Sequence, residues 1–353
     1  MPSRRRVLQM MAAVGTVGAA GWGLLTTRGN AYYSGPVSDH FDGTRFFNPG
    51  RVGPRGGLDF LRWQLMERGA SWPSQFPSPF PQDRPPASVE GFRIAYIGHA
   101  SFLVQTRGMN ILIDPVWANR AGPFDFIGPK RVNQPGIAFD DLPQIHRVLV
   151  THNHYDHMDV GTIERLRQRF APRIVTPLGN DAILRAAIPD LAVETVDWDA
   201  TVDLGGGVAV HAEPSQHWSA RGVTDRSHAL WASFVIEAGV RKLYCVGDTG
   251  FGDGAIFARV RRRHPGLTMA LLPIGAYEPR WFMRAAHMNP GDAVQALELC
   301  GAAEALGHHW GTFRLTNEAV EQPALDLAAA LAARGVPPAR FKALRPGEVR
   351  MLE

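Results

Sequence analysis

Between residues 92 and 113 the chain passes through three short apolar runs, Ile94-Ala95-Tyr96-Ile97, Phe102-Leu103-Val104 and Ile111-Leu112-Ile113. Gly98-His99-Ala100-Ser101 joins the first two, and Asp114-Pro115 ends the third. Apolar runs of this length, bounded by turn-forming residues, predict buried strands. Arg147-Val148-Leu149-Val150 predicts another. After it, Ile163, Leu166 and Phe170 recur at helical spacing among Glu164, Arg165, Arg167, Gln168 and Arg169. The alternation continues with a strand at Ile174-Val175 and a helix predicted from Asn180 to Ile188. Val208-Ala209-Val210 alternates as a strand does, and Leu243-Tyr244-Cys245-Val246 is a strand that ends at Gly247-Asp248. Asn289-Pro290 reads as an N-cap followed by proline at the first helical position, leading into Ala293 to Cys300. A last helix is predicted from Ala319 to Arg334. Strands and helices in alternation define an α/β fold.

The first 88 residues follow a different pattern. Ser3-Arg4-Arg5-Arg6-Val7-Leu8-Gln9 precedes an uncharged, glycine-containing stretch from Met10 to Leu25, the pattern of a twin-arginine export signal. Gly29-Asn30-Ala31 supplies a small-x-small cleavage position, so residues 1–31 are expected to act as a signal or a retained anchor. The expected location is the periplasm or the periplasmic face of the inner membrane. Residues 32–88 are rich in Pro and aromatics, including Trp72-Pro73, Phe76-Pro77, Phe80-Pro81 and Pro85-Pro86. They predict an extended arm that clasps the main domain or, as the alternative, faces a membrane, with a short helix around Leu58, Leu61, Trp63 and Leu65. The compact domain is placed at residues 89–353. No short-period repeat is visible.

Composition narrows the classes. A chain of 353 residues with 45% hydrophobic and 20% charged residues is globular and has material for a large core. The net charge of +4 is modest and three arginines sit at the extreme N-terminus, so no nucleic-acid partner is expected. Cys245 and Cys300, both in apolar surroundings, are expected to be free buried thiols.

The chemistry is concentrated after the 147–150 strand, in Thr151-His152-Asn153-His154-Tyr155-Asp156-His157-Met158-Asp159. Imidazole nitrogen and carboxylate oxygen suit zinc and its first-row neighbours. H-x-H-x-D-H offers more donors than one catalytic ion needs, so two ions are expected. Further donors lie at the ends of other predicted strands: His217 in Ser215-Gln216-His217-Trp218, Asp248 in Gly247-Asp248-Thr249-Gly250, and His309 in Gly307-His308-His309-Trp310.

This order of motifs resembles the metallo-β-lactamase fold superfamily, which implies an αββα sandwich carrying the N-terminal extended arm. Residues 151–159, 247–250, 273–283 and 309–313 together resemble the N-acyl-phosphatidylethanolamine-hydrolysing phospholipase D family, from about residue 90 to the C-terminus. The resemblance implies that His152, His154 and His217 hold one Zn2+, that Asp156, His157 and His309 hold a second, and that Asp248 bridges them. Asp156, Asp248 and His287 would be the catalytic residues, with hydroxide supplied between the metals. Expulsion of the ethanolamine oxygen would yield phosphatidic acid and an N-acylethanolamine. His287 aligns with an active-site histidine of the family, but Ala286 stands where the animal enzymes carry glutamine. Tyr277, Arg280, Trp281 and His287 are the expected substrate contacts, and His99 and His308 are expected to orient ligands.

A phospholipid substrate implies peripheral membrane contact. Trp117, Phe124, Phe126 and Ile127, with Arg120, Lys130 and Arg131, form the candidate interfacial loop. A homodimer is typical of the resembling enzymes. Alternative readings are a hydrolase of the same fold acting on a lactone, amide or small phosphodiester, and a metal-binding protein without catalysis. The complete set of seven donors argues against the latter.

Overall fold

The computed structural model describes residues 29–352, apart from 52 and 54. The expected export signal or anchor, residues 1–31, lies outside the described residues apart from its last three. In chain order the strands are β1 (Phe92–Gly98), β2 (Ser101–Thr106), β3 (Met109–Ile113), β4 (Arg147–Leu149), β5 (Arg173–Pro177), β6 (Val193–Val196), β7 (Thr201–Gly205), β8 (Val208–Glu213), β9 (Ser233–Ala238), β10 (Arg241–Cys245), β11 (Met269–Pro273), β12 (Glu304–His308), β13 (Phe341–Ala343) and β14 (Val349–Leu352). They form two seven-stranded sheets, ordered β14-β1-β2-β3-β4-β5-β6 and β7-β8-β9-β10-β11-β12-β13.

Read in these orders, the two sheets have the same pairing pattern. Each begins with three antiparallel pairings and continues with three parallel ones. The chain therefore folds as two halves of like topology, with β14 crossing back to complete the first sheet. Asp114 follows β3 in the first half as Asp248 follows β10 in the second.

Strand residues alternate between two hydrophobic environments, which is why β1 to β3 are buried throughout. Ile94 and Tyr96 meet Phe234, Ile236, Leu243 and Leu271 between the sheets. Ala95 and Ile97 face outward, where Leu103, Val148 and Ile174 are covered by Ile163, Leu166 and Leu184. These last three belong to the helices Val160–Phe170 and Asn180–Ala187. Helices Ala255–Arg263, Pro290–Cys300 and Gln322–Ala333 cover the far side of the second sheet. The result is the expected αββα sandwich. Asn289 caps its helix through Asp292 in a reciprocal capping box, and Cys245 and Cys300 are buried free thiols.

Residues 32–88 wrap this body through specific anchors. Phe41 and Phe46 are buried against Leu230 and Trp231. Trp63, on the helix Gly57–Met66, packs on Phe282 with ring centroids 5.0 Å apart. Trp72 Nε1 donates to Glu318 O at 2.9 Å, and Arg93 donates to Asp83 at 2.6 Å.

His40 is a further anchor, meeting Asp39 at 2.6 Å and Asp197 at 2.8 Å. Burial pushes its pKa down, but the bonds to Asp197 and Asp39 outweigh burial and raise it. A raised folded pKa makes the stabilisation complete below the unfolded value of about 6.5 and lost as pH rises through the folded value. Asp39 is exposed and Asp197 half-exposed, so the effect is small, below about 1 kcal/mol. The arm is expected to become more protease-sensitive across that rise in pH, and His40→Gln to flatten the dependence. A wild-type profile unaffected by the substitution would remove His40 as the cause.

Candidate metal centre

The loop after β4 is immobilised at both ends. At its start, Asp114 accepts from Thr151 N, Thr151 Oγ1 and His157 Nδ1, each at 2.7 Å. The bond to His157 commits its other nitrogen, Nε2, to the interior. At the far end, Asp159 caps the following helix through Thr162 N and also accepts from Ala118 N at 3.0 Å. Across the loop, Arg221 donates to Asn153 O at 3.2 Å and Met158 O at 2.8 Å.

Three further strand ends meet this loop. Gly247, with φ of 65°, lets Asp248 approach it; a Cβ at 247 would lie 2.8 Å from the Thr151 side chain. A Cβ at Gly275 would lie 2.1 Å from His309 O, so only glycine admits that turn against the His309 loop. His217 is gripped from the arm: its N–H donates to Asn48 Oδ1 at 3.0 Å, and Asn48 Nδ2 donates to His217 O at 2.9 Å. His217 Nδ1 meets Ala286 O at 3.0 Å, which turns Nε2 inward.

The donors gather in two adjoining groups. His152 Nε2 and His217 Nε2 lie 2.9 and 3.2 Å from His154 Nδ1. His309 Nε2 lies 3.4 Å from Asp156 Oδ2, and His157 Nε2 lies 3.7 Å from the same oxygen. Asp248 stands between the groups. Its Oδ2 is 3.7 Å from His217 Nε2 and 3.3 Å from His157 Nε2, while Oδ1 is 3.1 Å from His309 Nε2. Each group, with Asp248 or His99, brings its donor atoms within 4.8 Å of one another.

The electrostatics favour cations here. Burial pushes the pKa of His154 down to about 3 and of His217 to about 4, so both present neutral imidazoles. Burial also acts to raise the Asp248 carboxyl, yet His309 and His157 outweigh it and hold it well below the usual carboxylate range. His157 and His309 respond in the opposite sense: against burial, Asp248 and its neighbours raise His157 well above its ordinary value and His309 to about 9. These opposing shifts show that positive charge is favoured beside Asp156 and Asp248. His157 Nε2, His309 Nε2 and Asp248 Oδ1 are buried without hydrogen-bond partners, an arrangement that is costly unless an ion satisfies them. The N/O donor set suits zinc-like ions.

His287 reaches the same space, with Nδ1 3.8 Å from Asp248 Oδ2. His99 Nε2 meets Asp156 Oδ2 at 2.9 Å and so orients that carboxylate. His308 is turned instead towards Phe102, 5.6 Å between rings. A cavity of about 250 Å3 opens over His154, Asp156, Asp248 and His287, walled by Trp63, Ala121, Trp218, Phe282, Met283 and Leu315.

Three expected contacts lie elsewhere. Tyr277 is buried away from this cavity, with its hydroxyl donating to Asp326. Arg280 and Trp281 line a neighbouring groove of about 770 Å3; Arg280 is held by Asp292 at 2.6 Å and Trp281 by Glu67. Consecutive residues of the turn 277–283 face different ways, so Phe282 and Met283 take the cavity wall. In the interfacial loop, Arg131 is buried, donating to Val116 O at 2.8 Å, and Trp117 is half-buried with Nε1 on Ile137 O. Phe124, Phe126 and Ile127 are exposed. Asp114 and Asn48 were not singled out by sequence reasoning. Asp114 carried the same signal as Asp248, a carboxylate ending an apolar strand; nothing local marks Asn48.

Paired His/Asp clusters at the strand ends of an αββα sandwich define a metal-dependent hydrolase of the metallo-β-lactamase fold. Residues 109–310 match the family model described as "Beta-lactamase superfamily domain". The chain is 35% identical over 246 residues to N-acyl-phosphatidylethanolamine-hydrolyzing phospholipase D 1 of Caenorhabditis elegans, covering 67% of this chain and 68% of that protein. It is 27% identical over 261 residues to a UPF0173 metal-dependent hydrolase of Pyrobaculum neutrophilum, 74% of this chain and 100% of the relative. A metallo hydrolase from the archaeon Ignicoccus hospitalis superposes with a TM-score of 0.53 at 20% identity, covering 74% of this chain and 98% of that one. The chain belongs to the N-acyl-phosphatidylethanolamine-hydrolysing phospholipase D family within the metallo-β-lactamase superfamily.

Proposed function

We propose that the protein is a binuclear zinc phosphodiesterase that hydrolyses N-acyl-phosphatidylethanolamine, or a related phospholipid, to phosphatidic acid and an N-acylethanolamine. The observation that carries this reading is the position of Asp248 between two sets of three donors, beneath a mainly apolar cavity. His152, His154 and His217 would hold one ion, Asp156, His157 and His309 the other, and Asp248 both. Ions held by these residues would supply a water of lowered pKa as nucleophile and positive charge against the phosphoryl oxygens.

The chain's own groups supply the rest. Asp114 and Ala286 O fix the ring orientations of His157 and His217. Burial holds His287 well below its ordinary pKa, so at neutral pH it offers one N–H and one lone pair. That N–H can donate a hydrogen bond to a phosphoryl oxygen or to the departing ethanolamine oxygen, while the proton the leaving oxygen takes up would come from the attacking water. Trp63, Trp218, Phe282, Met283 and Leu315 give the lipid chains an apolar wall and keep bulk water from the donors.

The test is metal analysis of purified protein together with mass-spectrometric identification of products from a lipid panel. Phosphatidic acid and N-acylethanolamine in equal amounts support the reading. Turnover of a lactone, amide or soluble phosphodiester with none of the phospholipid would overturn it.

The same reading implies contact with a membrane from the exported side. Among the described residues no helix is long and apolar enough to cross one. Two exposed apolar segments flank the cavity wall: Phe124, Phe126 and Ile127 follow Ala121, while Leu58, Phe60, Leu61, Leu65 and Met66 share a helix with Trp63. Burying a Phe side chain contributes about 1.5–3 kcal/mol. Phe124→Ala with Phe126→Ala is therefore expected to lower turnover on vesicles by about ten-fold or more and to spare a soluble phosphodiester. Equal losses on both substrates would count against membrane contact by this loop.

A further inference from the structure

A second concentration of donors lies outside the centre at Asp248. His211 on β8, Glu237 on β9 and His264, which caps the helix Ala255–Arg263, bring donor atoms within 4.8 Å of one another. We propose that these three residues form a further divalent-cation site, independent of the hydrolytic centre and selective for zinc-like ions.

The histidines are held as metal-binding histidines usually are, each with its second nitrogen fixed by a partner. His264 Nε2 meets the buried carboxylate of Glu213 at 2.8 Å, and His211 Nδ1 meets Thr201 Oγ1 at 2.9 Å. These bonds settle which nitrogens remain, and the His211 and His264 ring centroids are 4.8 Å apart. His211 Nε2 is buried with no hydrogen-bond partner, 3.6 Å from Glu237 Oε2. Arg259 and Arg263, the nearby guanidinium groups, are held by Glu213 and Asp199. Lys242 is the competitor, with Nζ 3.6 Å from Glu237 Oε2. Two imidazoles and one carboxylate leave a fourth position for water, the arrangement that suits zinc. An ion here would tie β8 and β9 to the end of the helix that begins seven residues after Asp248.

The test uses metal-loaded enzyme, titrated with Zn2+ against a chromophoric chelator and with Co2+ followed by visible absorption. Wild type is expected to take up one equivalent beyond the hydrolytic centre, and His211→Gln and His264→Gln to lose it. Thr201→Val should weaken it by about ten-fold. Lys242→Met should tighten it several-fold by removing a like charge. Absence of the additional equivalent in wild type, or its survival in both histidine variants, would overturn the proposal. Should either histidine variant misfold, unchanged affinity in both Thr201→Val and Lys242→Met overturns it as well.

Discussion

Asp248→Asn is expected to lower hydrolysis by about 1,000-fold or more while leaving the fold intact. The substitution preserves shape and one oxygen, so packing around residue 248 changes little. It removes the negative charge that lies 3.3 Å from His157 Nε2, 3.7 Å from His217 Nε2 and 3.1 Å from His309 Nε2. Stabilisation of charge by paired ions amounts to several kcal/mol, and each 1.36 kcal/mol is ten-fold in rate. Bound metal should fall in parallel, and chelated wild type should match the variant in activity. Hydrolysis within ten-fold of wild type at normal metal content would exclude Asp248 from the centre.

Asp114→Asn is expected to reduce metal affinity and activity by about 10- to 100-fold without touching a donor. Asp114 accepts three hydrogen bonds, from Thr151 N on one oxygen and from Thr151 Oγ1 and His157 Nδ1 on the other. An amide has only one oxygen. If that oxygen keeps His157, the amide nitrogen opposes the Thr151 N–H. If the amide turns over, His157 adopts the other tautomer and points Nε2–H into the centre, where it cannot ligate. Metal affinity and the NMR signature of the His157 ring distinguish this positioning role from a loss of fold. An unchanged tautomer with unchanged affinity would show that Thr151 and the loop backbone suffice.

The two variants also mark how far the sequence could be read. H-x-H-x-D-H was legible because its donors are local, and His217, Asp248 and His309 because each follows an apolar strand. Asp114 follows one too, but its partner His157 lies 43 residues further on, so its role exists only once β3 and β4 pair. Asn48 acts on His217 across 169 residues. The turn 277–283 misled for a different reason: a contiguous motif suggests one shared surface, whereas Tyr277 turns to Asp326 and Phe282 to the cavity. Helix periodicity gave Asn180–Ala187 and Gln322–Ala333 to within a few residues, because amphipathic patterning is also local. The doubled sheet topology left no trace in composition, since any apolar residues can fill equivalent strands.

That doubling bears on how the molecule comes apart. His152, His154, Asp156 and His157 are contributed by the first half, and His217, Asp248 and His309 by the second. Neither half possesses a full coordination set, so ions held at the seam would join the two halves locally. The apolar core between the sheets holds the halves together without them, so metal loss would silence the centre and loosen its loops before it parted the halves.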